Sequence, residues 1–247
     1  MNNNKGVMYM AYGPSRFFGE AVSSVKSFKA IPKHSDIPTC LVSPEDVSSE
    51  IYSNFDEFIK IKKEDCEKVG TRPGKNWQIK YLIYEYAPFD TTLFLDSDTY
   101  ICKDISWGFG IAEEYKFAAA LTDSKYSVGN NVRDRFSHIC HPQSTQINSG
   151  VMFFNKNDLM SKVFKDALEL SLYDKMRTGD QTYLTLAMYK NKINPYVFHS
   201  RFMCKGYGYN MGNKKHCTDD WKNPKGPYFV LHHPRIAFHV KKFVASK

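Results

Sequence analysis

Residues with the means to do chemistry gather at Asp96-Ser97-Asp98, directly after the apolar run Leu93-Phe94-Leu95. Two carboxylates one residue apart emerge where a buried strand should end. Unpaired, they are costly to bury, so they require water or a cation. Carboxylate oxygens suit hard divalent ions such as magnesium and manganese. Such an ion would neutralise Asp96, Asp98 and a diphosphate together, and would stabilise the charge on a departing nucleoside diphosphate. Ser97, between the two, faces another way.

The surrounding chain reads as elements able to hold that pair. Residues 7–12 are apolar and stop at Gly13-Pro14, which predicts a buried first strand. A helix follows, with Ser15 as its cap; Phe18, Ala21, Val22, Val25 and Phe28 share one face, and Pro32 ends it. Strands are expected over 39–43, 58–61, 92–95, 117–121, 151–154, 195–198 and 228–231. Helices are expected over 77–86, 158–173 and 179–189. The segments 70–76, 124–146 and 204–226 read as loops. Alternating strands and helices predict one α/β domain over 1–247 with a parallel sheet. Sheets of this kind bind ligands beyond the carboxyl ends of their strands, where strand order reverses.

The hydrophobic share of 42% supplies a core and excludes a disordered chain. A net charge of +8 suits an anionic partner such as a nucleotide, a phosphate or a nucleic acid. No run of apolar residues approaches membrane-spanning length. The six cysteines form no paired motif, and no signal-peptide pattern opens the chain, so reduced thiols and a cytoplasmic location are expected. His138, Cys140 and His141 are clustered but lack the second pair a zinc site needs. No P-loop is present.

Several short motifs then carry a resemblance. Met10-Ala11-Tyr12-Gly13 precedes a helix, Lys80 stands sixteen residues before Asp96, and Leu93 to Thr99 reads Leu-Phe-Leu-Asp-Ser-Asp-Thr. Asn148-Ser149-Gly150, Gly179-Asp180-Gln181 and His232-His233 follow in order. Together these resemble the glycogenin-like, family 8 type, nucleotide-sugar glycosyltransferases. The resemblance implies a single A-type glycosyltransferase domain with a Rossmann-like, mixed but mostly parallel sheet flanked by helices. It implies a manganese (or magnesium) ion on Asp96, Asp98 and His232, with His233 as the second choice. It implies a nucleotide-sugar donor, usually a UDP-sugar, contacted by Tyr12, Arg72, Lys80 and Ser97. Asn148, Asp180 and Gln181 would stand near the anomeric carbon, and transfer to a glycan, protein or small-molecule hydroxyl would retain configuration.

The chain departs from the family after the late histidines. His233-Pro234-Arg235 stands where the family continues to Gly and then Lys. A non-catalytic nucleotide-sugar or nucleic-acid binder on the same fold is the competing class.

Overall fold

Lys5–Met10 form β1, a strand buried at every position after the first. The structure, a computed structural model, describes residues 4–69, 77–122, 128, 133–174, 179–199, 202–205 and 229–232. Strand β1 pairs in parallel with β2 (Thr39–Ser43) on one side and with β4 (Thr91–Asp96) on the other. Outside β2 lies β3 (Glu57–Lys60), also parallel. Beyond β4 comes β7 (Ile147–Asn155), antiparallel both to β4 and to β6 (Phe117–Leu121); β8 (Tyr196–Phe198) closes the sheet parallel to β6. The seven strands run in the order β3-β2-β1-β4-β7-β6-β8. The chain therefore goes outward from β1 to β3 and returns to the other side at β4, which opens a crevice at the carboxyl ends of β1 and β4.

A second sheet has the order β5-β10-β9, built from Thr99–Ile101, Val230–His232 and Met203–Lys205. In it His232 pairs with Thr99. That register sets a residue from late in the chain beside the turn that carries Asp98.

Burial on both faces explains the nearly continuous apolar strands. Val7, Tyr9, Leu93, Leu95 and Phe153 face α1 (Ser15–Lys29) and α5 (Gly108–Tyr115). Met8, Met10, Phe94, Met152 and Phe154 face a 3₁₀ turn, Trp77–Leu82, with α4 (Ile83–Tyr86), α6 (Asp158–Tyr173) and α7 (Asp180–Lys190). The short helices α2 (Ser49–Tyr52) and α3 (Lys63–Lys68) flank β3 in sequence.

Some expectations need correction. Ser15 does not cap α1; it is the first helical residue behind Pro14, and no side chain caps that end. The helix expected over 77–86 divides into the 3₁₀ turn and α4. Three-residue spacing there turns Ile79 and Leu82 onto the core together. The last strand is shifted to Val230–His232, because pairing with β5, not hydrophobicity, defines it. Part of the irregular stretch expected from 204 is strand β9, and 206–226 lie outside the described residues.

Candidate active site

Asp96 is the last residue of β4, and the turn that follows holds Ser97 and Asp98 before β5 begins. Thr99 ties this turn down: its hydroxyl donates to the Asp96 carbonyl at 2.8 Å and lies 2.7 Å from the hydroxyl of Ser24 on α1. From β10, His232 Nε2 approaches Asp96 Oδ2 at 3.3 Å and Asp98 Oδ1 at 3.1 Å. One donor atom from each of Asp96, Asp98 and His232 lies within 4.8 Å of the others. Burial opposes a charge on His232, but hydrogen bonds with Asp96 and Asp98 outweigh it and push the imidazole up to about 9.

The closeness of these side chains depends on Gly150. A Cβ at that position would lie 2.1 Å from His232 Cε1 and 2.6 Å from Asp96 Oδ2. The glycine of the Asn-Ser-Gly motif therefore leaves room for the donor set. The three donors could hold a divalent ion: two carboxylate oxygens and an imidazole nitrogen converge. His232 Nδ1 is buried without a hydrogen-bond partner among the described residues.

Lys80 stands on the opposite side of Asp96. Its ammonium lies 2.7 Å from Asp96 Oδ1, 3.0 Å from Asp180 Oδ2 and 5.1 Å from the centre of the Phe94 ring. Burial works against that charge, but Asp180 and Asp96 more than compensate and hold the amine above its usual range. For Asp96 burial works upward, and Lys80 and His232 overrule it, so the carboxyl stays well below the usual range. Ser149 joins the network: it accepts from Lys80 at 3.3 Å and donates to Asp180 Oδ2 at 2.6 Å. Asp180 opens α7, and its backbone carbonyl accepts from the Tyr81 hydroxyl at 3.1 Å.

Most of the expected residues thus come together. Tyr12 is half-buried beside the same charges; burial raises its phenol, Lys80 lowers it, and Asp180 and Asp96 raise it again. Asn148 is fully buried, with Oδ1 accepting from the Gly150 amide at 2.8 Å and Nδ2 unpartnered among the described residues. Gln181 follows Asp180 in the first turn of α7. Ser97 occupies the turn, where no described contact joins its side chain to the network. Arg72 and His233 lie outside the described residues. Sequence reasoning did not assign a part to Ser149, although it sits inside a quoted motif, and the Tyr81 hydroxyl carried no signal.

Comparison with known proteins bears on the family and the fold. A family model described as glycosyl transferase family 8 matches residues 23–226, a span that includes Asp96 and Asp180 and ends before His232. No curated protein sequence matches the chain. Among solved structures, the galactosyltransferase LgtC, in complex with donor and acceptor sugar analogues, superposes with a TM-score of 0.66 at 16% identity, over 98% of this chain and 95% of that one. Mouse xyloside xylosyltransferase 1 gives 0.62 at 15% identity, over 93% and 97%. The core-mannan synthase CmsA of Aspergillus fumigatus, in a manganese and GDP form, gives 0.56 at 10% identity, over 95% and 82%. At these identities the likeness shows the A-type glycosyltransferase fold; the family match covers most of the chain and shows more. The chain belongs to glycosyl transferase family 8 and is a glycosyltransferase that uses a nucleotide-sugar donor and an acceptor.

Proposed function

We propose that this glycosyltransferase is metal-dependent, takes a UDP-sugar, and transfers the sugar to a hydroxyl acceptor with retention of configuration. The observation that carries this reading is the convergence of Asp96, Asp98 and His232 beside the Lys80–Asp180 pair. The three donors would hold manganese or magnesium, and the imidazole favours manganese, since magnesium prefers an all-oxygen shell. When bound, the ion supplies positive charge to the diphosphate as it leaves.

The remaining work falls to the chain's own side chains. Tyr12 packs against the nucleoside, and Arg72 lies in the segment expected to approach the diphosphate. Lys80 keeps Asp96 and Asp180 apart in charge while presenting an ammonium to the donor. Asn148, Asp180 and Gln181 orient the sugar. The bond from the anomeric carbon to the diphosphate oxygen breaks, the acceptor oxygen bonds to that carbon, and the acceptor proton leaves with the diphosphate. The sugar is oxocarbenium-like between the two events, as in glycoside hydrolysis. Asp180 Oδ2 already accepts from an ammonium and a hydroxyl. That suits the carboxylate to stabilising positive charge at the sugar, and attack from the leaving-group face would give retention without a nucleophilic carboxylate.

Donor hydrolysis or transfer, measured with and without manganese, tests the reading. Asp96→Asn and Asp98→Asn should each lose at least about 100-fold of metal-stimulated turnover. Wild-type turnover without added ion in both variants would sink it.

A further inference from the structure

A fourth carboxylate stands near the donor set. Glu20 lies on α1 one turn before Ser24, and residues four apart share a helix face. Ser24 touches Thr99, and Thr99 follows Asp98 in the chain. Helix α1 starts just after the carboxyl end of β1, so moving from Ser24 back to Glu20 moves toward the crevice and toward Asp98.

Glu20 is half-buried, yet its Oε2 is shielded from water and has no hydrogen-bond partner among the described residues. A shielded carboxylate oxygen without a partner demands an explanation. Arg16, one turn earlier, lies over the Phe17 ring at 4.9 Å and leaves that oxygen unpaired. Burial, and then the charge of Asp98, push the Glu20 carboxyl up to about 7. The positive charge of Arg16 pulls the other way, but less strongly than burial and Asp98.

We infer that Glu20 is a positioning residue of the cation site, facing the ion from outside the Asp96, Asp98 and His232 set and holding one of its water ligands. The inference rests on the metal-dependent reading above. Outer groups of this kind orient the inner ligands and add to the attraction for the ion. Glu20 also lies outside the span matched by the family model.

The test titrates the full chain with manganese alone, reading free manganese by electron paramagnetic resonance, and then repeats the titration with UDP. Glu20→Gln should bind manganese about tenfold more weakly than wild type. Glu20→Asp, which keeps the charge, should recover most of that loss. Without metal, Glu20→Gln should melt no lower than wild type, because the repulsion with Asp98 is gone. With manganese, the wild type should gain more in melting temperature than the variant. Equal manganese affinity in Glu20→Gln overturns the inference. A loss seen only when UDP is present also overturns it, by assigning Glu20 to the nucleotide. So does a metal-free variant that melts well below wild type, since Glu20 would then be a structural prop. A wild type that binds no manganese fails differently, by removing the reading on which the inference stands.

Discussion

Gly150 shows how much of the site depends on the absence of one carbon. A methyl group there would occupy the space of His232 Cε1 and Asp96 Oδ2. Asp96 and His232 both sit on paired strands, so their side chains have to spread apart. Gly150→Ala is therefore expected to lower donor turnover by at least about 100-fold, the cost of displacing a reacting group by about 1 Å. Steady-state turnover and manganese affinity should fall together while the far-ultraviolet circular dichroism keeps its shape. Turnover close to wild type would show that His232 is dispensable. At this scale the sequence was informative wherever a polar residue interrupts an apolar run. Asp96, Asp98 and Asn148 are conspicuous for that reason. Glu20 was invisible because a charged residue on a helix ordinarily means a solvated face, and the hydroxyl contacts of Ser24 with Thr99 and Tyr9 show which way that face points.

Helices α6 and α7 form the wall from which Asp180 projects, and Asp166 joins them. Its carboxylate accepts from Lys162 at 2.7 Å, from Lys190 at 2.8 Å and from Asn191 at 2.6 Å. Burial raises this carboxyl, and those three donors reverse the effect and lower it to about 2. A depressed carboxyl contributes stability that is fully present above the unfolded value of about 3.9 and is lost as pH falls through the folded value. Asp166→Asn should thus cost about 2 kcal/mol at pH 7, and the gap to wild type should close between about pH 4 and pH 2. Chemical denaturation across that range measures it; a gap independent of pH would show that packing, not charge, accounts for the loss. The longer elements were readable from sequence because their apolar pattern repeats. Thr39–Ser43, Phe117–Leu121 and Asp158–Tyr173 begin and end where expected. The failures have a common physical source. Strands β5 and β9 have three residues each, too few for any period, and α5 opens on two glycines in three residues. Over the six residues of Trp77–Leu82, a period of 3.0 cannot be told from one of 3.6. The direction of β7 is not written in its composition at all; its partners on both sides determine it.

Across the whole molecule, no helix among the described residues is long and apolar enough to cross a membrane. The site draws on positions near 80, 96, 148, 180 and 232, so no short contiguous piece of the chain contains it. Strand β10 gains its significance at this scale. It is three residues long and hangs from the second sheet by its pairing with β5 and β9. Its final residue reaches across about 130 positions of sequence to the turn that follows β4, a loop whose closure is entropically costly. An ion shared by Asp98 and His232 would act there as a reversible staple. Ligand binding to the folded form alone adds stability in proportion to the logarithm of free ion over its dissociation constant. The gain should fall mainly on the stapled strand. Amide hydrogen exchange followed by mass spectrometry should slow in the peptide carrying Val230–His232 on addition of manganese, with β1 unchanged; equal slowing of both would contradict this. If so, depletion of the ion would not merely stop turnover. It would unfasten the late strand while the seven-stranded sheet stayed intact, making loss of metal a step toward local unfolding and exposure to proteases.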